Sequence, residues 1–193
     1  RKRVVKPEHK TLTILRIGTS GAIQKDIPLG AFVLSDISIG FDGLLNWYDG
    51  RNNVCDREME QAFTEHACWP DTLAAPYFIP SGRRLIEIMS DFTQKGITIS
   101  APGFYAPQGR VLRLHLAMEN MLEKLESFNY KGKRITNFEM ESSAIAGLSA
   151  LMGHEASTVC CIIANRYLGE SRTDYRESMQ NLIINSLDRL STL

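Results

Sequence analysis

Three separated stretches of this chain hold side chains able to do chemistry: Glu139-Met140-Glu141, Arg16 with the glycines that follow it, and Phe104-Tyr-Ala-Pro-Gln108-Gly-Arg110. In the first, two carboxylates one residue apart end the approach segment Thr136-Asn-Phe-Glu139, and an amphipathic run from Ser142 to Met152 follows at once. In an α/β protein that is a strand end feeding a helix start, where acids sit at a rim and backbone N–H groups face a ligand. On spacing alone, the simpler reading is that the acids complement the helix dipole. Arg16 stands near the end of the largely apolar run Thr11-Leu-Thr-Ile-Leu-Arg-Ile17. A guanidinium there needs a partner, either a bidentate oxyanion such as phosphate or an internal carboxylate. Gly18 and Gly21, with the hydroxyls of Thr19 and Ser20, would let an anion approach closely, although no Gly-Lys-Ser/Thr follows to make a Walker A loop. In the third stretch an aromatic face can stack on a planar ring while an amide and a guanidinium two residues apart hold its polar edge. That suits a heterocyclic base; the alternative is a surface loop with a buried Phe.

The elements that must position these groups read as alternating strands and helices. After a basic, Pro-containing lead from Arg1 to Lys10, the β-branched and aliphatic run up to Ile17 is expected to be a strand stopped by Gly18 and Gly21. Ala31 to Ile39 reads as a second strand. From Asp42 to Pro80 the pattern loosens, with turns at Asp42-Gly43 and Asp49-Gly50 and one amphipathic run near Val54 to Ala67; this segment is either a cover for a pocket or subunit contact, or an ordinary long excursion. Helical spacing over Ser81 to Gln94 ends before Gly96, and Ile97 to Ser100 is a short strand. Leu112 to Phe128 has the periodicity of a strong amphipathic helix. Ala156 to Ala164 is nearly continuous apolar strand, the type found in a sheet covered on both faces, and it ends at Asn165-Arg166. A polar stretch, Gly169 to Arg176, leads to a last helix, Glu177 to Leu190.

Composition excludes several functions. With 193 residues and 44% hydrophobic content the chain can bury a core and is expected to form one domain over 1–193. Lys plus Arg and Asp plus Glu are 22 each, so no basic field exists to gather nucleic acid. Cys55, Cys68, Cys160 and Cys161 make no C-x-x-C pair, and the four histidines keep no metal-binding company, so reduced thiols and no metal site are expected. No stretch has the length and apolarity of a membrane span, and Arg1-Lys2-Arg3 is not followed by a signal-peptide core. A soluble, cytoplasmic protein is the expectation.

Arg16-Ile-Gly-Thr-Ser-Gly-Ala-Ile-Gln24, Phe104-Tyr-Ala-Pro-Gln-Gly-Arg110 and Phe138-Glu-Met-Glu-Ser-Ser143 together resemble the nucleoside phosphorylase-I family, in matching order and rough spacing over essentially the whole chain. The first and third motifs run widely through that family; the Phe-Tyr-x-x-Gln-x-Arg loop is particular to its uridine-cleaving branch, the uridine phosphorylases. The resemblance implies an α/β fold with a central mixed, partly barrel-like sheet flanked by helices. It implies reversible phosphorolysis of uridine or a related pyrimidine nucleoside, with inorganic phosphate as co-substrate, no cofactor, and a homo-oligomer, commonly a hexamer built as a trimer of dimers. By the same resemblance Arg16 and Thr19 match phosphate contacts, Thr19 also lying near the ribose. Ser20 and Gly21 line the base pocket, Phe104 packs on the base, and Gln108 with Arg110 read the uracil edge. Met140 and Glu141 match ribose contacts, Glu141 holding sugar hydroxyls, with Glu139 as the motif's first acid. Arg166 closes the pocket beyond the uracil carbonyl.

The sequence also departs from the pattern. Family members carry roughly a hundred residues before this region, including a Gly-Asp-Pro-x-Arg phosphate loop and a histidine lent to the neighbouring subunit's ribose site; neither stands here before Arg1, and His9 is not in that motif. Open sheet edges are therefore expected where those strands would pair. A nucleosidase of the same fold would place an Asp where this chain has Asn165-Arg166, which argues against hydrolysis and against purines. A nucleoside-binding or assembly module without turnover is the other alternative.

Overall fold

The computed structural model describes residues 4–193; the first three residues of the basic lead lie outside it. The chain builds a mixed sheet of eight strands: β1 (Thr13–Ala22), β2 (Phe32–Gly40), β3 (Tyr77–Pro80), β4 (Gln94–Ser100), β5 (Asn129–Tyr130), β6 (Lys133–Glu139), β7 (Glu155–Asn165) and β8 (Glu170–Ser171). Helices α1 (Arg51–Val54), α2 (Arg57–Ala67), α3 (Arg83–Met89), α4 (Met121–Ser127), α5 (Ser142–Leu151) and α6 (Arg176–Leu190) flank it.

Five of the strands close on themselves. β1 pairs in parallel with β7, β7 antiparallel with the start of β2, β2 in parallel with β4, β4 in parallel with β6, and β6 antiparallel with β1 at Gly21 and Ala22. The ring is a small mixed barrel whose β1–β6 seam is held by two residue pairs, Gly21 with Phe138 and Ala22 with Asn137. On the β6 side, Thr13 to Ser20 of β1 pairs with no strand among the described residues. Short strands are added outside the ring, β3 on the second half of β2, β5 on β6 and β8 on the end of β7. β7 has a nearly continuous apolar run because it is covered on both sides, and Ala156 through Ile162, with Ser157 and Thr158 among them, are all buried.

Two expectations about local structure are corrected. β1 does not stop at Gly18 but runs through both glycines to Ala22, because β7 pairs with it from Thr13 to Ala22 and carries the ladder on with one register shift, between Ser20 and Gly21. The helix read over Leu112 to Phe128 forms only over Met121–Ser127. Leu112 and Leu114 are 72% and 83% exposed, so the apolar stripe has nothing to pack on there, and Asn120 in a left-handed conformation breaks entry into the helix. The 81–94 helix likewise shortens to Arg83–Met89, and Gln94 already belongs to β4.

The loosely patterned 42–80 segment is a packed part of the core. α2 starts where Asp56 accepts a hydrogen bond from the Met59 N–H and ends at Cys68 with positive φ. Its Phe63 sits among Phe41, Trp69, Phe78 and Phe128, with the Phe63 and Phe128 rings meeting edge to face at 5.2 Å. That cluster packs with Ile37 and Ile39 of β2, Ile97 and Ile99 of β4 and Ile135 of β6. Among the described residues no helix is long and apolar enough to cross a membrane.

Candidate active site

β1 forms the floor of a cleft of about 480 Å³. The antiparallel register of β6 carries its last residues back along β1, so Glu139 and Glu141 arrive beside Arg16. Arg16 Nη1 lies 3.2 Å from Glu139 Oε2, its Nη2 pairs with Glu141, and Nη1 also reaches the Cys160 sulfur at 3.5 Å. Of the two partners left open for this guanidinium, the internal carboxylate is the one seen. Burial alone would weaken Arg16's hold on its proton, but Cys160, Glu139 and Glu141 outweigh it and leave the pKa raised. The Cys160 thiol is pushed up to about 12, mainly by burial, so it faces Arg16 as a neutral group.

Gly18 has a steric reason to be glycine. A Cβ there would stand 2.7 Å from Arg16 Nη1, because the guanidinium folds back over the strand two residues on. Gly21 repeats the arrangement: a Cβ would come 3.2 Å from Arg166 Nε. Two cations thus lie on bare backbone at the two ends of one strand segment. Between them a register shift pairs Ser20 with Ile162 but Gly21 with Ala164, so Ile163 is the extra residue of a bulge, and it lines the cleft.

The far wall is the loop after β4. Gln108 is buried and its Oε1 accepts from Arg110 Nη1 at 2.8 Å and from Arg166 Nη2, which leaves the amide Nε2 as its free donor. Arg110 also donates to the Phe104 carbonyl at 2.6 Å, and its guanidinium lies 3.7 Å over the Phe104 ring. Phe104 itself is 53% exposed, so the buried-Phe alternative for this loop is not what forms. Arg166, half-buried and close to Arg110, is pushed down to about 10 by burial first and by Arg110 second, and it remains charged at neutral pH. Its Nε is buried over Gly21 without a hydrogen-bond partner.

Every residue singled out from the sequence lines this one cleft: Arg16, Thr19, Ser20, Gly21, Phe104, Gln108, Arg110, Glu139, Met140, Glu141 and Arg166. Sequence reasoning missed Phe138, Ile163, Ala164, Ser171 and Arg172, which also line it. The alternation of β7 toward Arg166 was a signal for Ala164 but not for Ile163, the bulge residue, and the two-residue β8 gave none. Asn165 is wholly structural: its amide donates to the Gln24 and Ile27 carbonyls and its oxygen accepts from the Tyr167 and Leu168 N–H groups. No group of three or more metal-ligating side chains occurs among the described residues.

Comparison with known proteins agrees with this fold. A curated uridine phosphorylase of Thermococcus kodakarensis is 29% identical over 160 residues, covering 82% of this chain and 50% of its own length. That of Escherichia coli is 28% identical over 163 residues, covering 80% and 54%. The chain thus spans about half the length of the curated relatives it matches. Its fold superposes, with a TM-score of 0.82 and 24% identity, on 94% of this chain and 64% of a Trypanosoma brucei nucleoside phosphorylase whose structure is described as showing uridine phosphorylase activity. The model of the phosphorylase superfamily matches residues 3–192, nearly end to end, and this chain belongs to that superfamily.

Proposed function

We propose that the cleft performs reversible phosphorolysis of uridine or a related pyrimidine nucleoside to uracil and ribose 1-phosphate, a pentosyl transfer that serves pyrimidine salvage in the cytoplasm. The observation that carries this reading is the separation of two guanidinium sites along β1, Arg16 over Gly18 and Arg166 over Gly21, with Glu141 beside the first. Three strand residues span about 10 Å. That suits a pentose held between a phosphate and a base.

In this reading Arg16 and Thr19 bind phosphate and Arg16 aligns it with C1′. Glu141, whose side chain is 54% exposed, releases Arg16 and takes the ribose hydroxyls, with Met140 against the sugar. Phe104, Ser20 and Gly21 enclose the base. As the C1′–N1 bond breaks, positive charge develops on the sugar and negative charge on uracil. Donors from Gln108 Nε2, Arg110 and Arg166 meet that negative charge, and preorganised donors of this kind are commonly worth about 3 kcal/mol each. Fixing the nucleophile in line contributes a further orientation term. The chemistry asks for no covalent enzyme intermediate, metal or cofactor. A homo-oligomer, in the trimer-of-dimers form of the family, belongs to the same proposal.

The test is to mix the purified protein with uridine, with and without phosphate, and to follow uracil. Phosphate-dependent release is the expected result. Release without phosphate would make it a hydrolase, and uridine binding without release a nucleoside-binding module; either overturns the proposal.

A further inference from the structure

The two acids of the cleft differ in what remains free on them. Glu139 is buried, with its side chain 1% exposed. Its Oε2 accepts from the Glu141 N–H at 2.8 Å and the Ser142 N–H at 2.9 Å and meets Arg16 at 3.2 Å. Its Oε1 is met by the Ser142 hydroxyl at 2.6 Å and the Ser100 hydroxyl at 2.5 Å, with the Ser142 N–H at 3.0 Å. An ionised carboxylate offers about four lone-pair sites, and all are in use. Glu141 has only Arg16 on one oxygen. Behind Glu139 the polar chain continues: Ser143 N–H donates to Ser100 Oγ at 2.8 Å, and Ser143 Oγ and Tyr77 OH both contact Asp42, at 3.2 and 2.8 Å.

We propose that Glu139 is a positioning residue rather than a sugar ligand: clamped by Ser100, Ser142 and the first turn of α5, it fixes Arg16 in place when Glu141 turns to the ribose. The expectation that Glu139 touches ribose is replaced on this account, which rests on the phosphorolytic reading of the cleft. If Glu139 did not hold Arg16, the cation would follow Glu141 and be lost to phosphate. The hydroxyl of Ser100, on β4 and remote from any substrate, therefore tunes the anion site through two intervening groups.

The test measures Arg16 directly in the 193-residue chain. Phenylglyoxal, which modifies accessible arginines, is applied with and without inorganic phosphate, and the Arg16 peptide is quantified by mass. Without phosphate, Glu139→Gln and Ser100→Ala are expected to be modified at Arg16 several-fold faster than the unaltered chain. In Ser100→Ala the phosphate concentration giving half-protection should rise about tenfold, the loss of one charge-assisted hydrogen bond. Tyr77→Phe, which cuts the chain beyond Ser143 without touching Glu139, should leave both readings unchanged. Unchanged modification of Arg16 in Ser100→Ala and Glu139→Gln overturns the positioning role, as does an equal change in Tyr77→Phe, which would mean general loosening of α5. Faster modification with no phosphate protection in any form keeps the positioning role and overturns the phosphorolytic reading instead.

Discussion

The two ends of the cleft are built on opposite plans. At the Arg16 end, the guanidinium is matched by two carboxylates and a thiol, and its buried partner Glu139 is tied into the first turn of α5 and into β4. At the Arg166 end, two arginines share one glutamine oxygen, one of them stacks on a half-exposed phenylalanine, and no carboxylate of the described residues pairs with either. The first is balanced in charge, with Glu141 as its one exposed partner; the second holds a surplus of donors, among them a buried Nε without a hydrogen-bond partner. The proposed phosphorolysis would use this asymmetry: phosphate takes the place of one carboxylate on Arg16, while the surplus donors at the other end act where stabilisation counts, on the charge that develops in the transition state.

That contrast can be broken by substitution. Arg16→Ala should lower phosphate-dependent uracil release by on the order of a hundredfold or more, and should also destabilise the fold by about 3 kcal/mol because Glu139 is left buried without its cation. Denaturant titration beside the kinetic assay checks both. Arg110→Ala, at the other end, should impair uridine turnover by roughly a hundredfold while costing under about 1 kcal/mol of stability, since its guanidinium sits on an exposed ring. Equal losses of activity and stability there would return the loop to a purely structural role. Gly18→Ala is a finer probe: the new methyl meets the flexible end of Arg16 rather than backbone, so phosphate affinity should fall about tenfold with little change in melting temperature. An unchanged affinity would show that Arg16 does not act from this position.

The smallest effect concerns pH. Burial raises the Cys160 thiol to about 12 from an ordinary value of 9. Below pH 9 the thiol is neutral in both states. Above it the unfolded chain loses the proton first and so binds fewer protons, and stability falls as pH rises toward 12. Cys160→Ser should lessen that alkaline loss by about 1 kcal/mol at pH 10, measured by denaturation against pH.

The residues of the cleft were more legible in the sequence than the elements carrying them. Arg16, Gln108, Arg110 and Glu141 are side-chain types with few uses at strand ends and in Gly/Pro-rich loops, so motif and chemistry pointed together. Elements were misread where a local signal depends on what lies opposite. Gly18 looks like a stop until β7 is known to pair across it, and Leu112 and Leu114 look like a helix face until they prove to have no surface to cover. Ser100 and Ser142 illustrate a third kind of silence. Serine is common in both strands and helix starts, and only the packing of β4 against β6 turns these two into clamps on one carboxylate.

The bare backbone under the two guanidinium groups limits how this cleft can be remodelled. A floor made of glycine cannot be lowered, and any side chain added to it would strike Arg16 or Arg166 before it reached a ligand. Room for a bulkier or differently substituted base can therefore be gained only from the walls, at Phe104 on its exposed loop or at Ile163 and Ala164 on the bulged end of β7. Those three positions are where directed variation of ligand range should begin, with β1 left as it is.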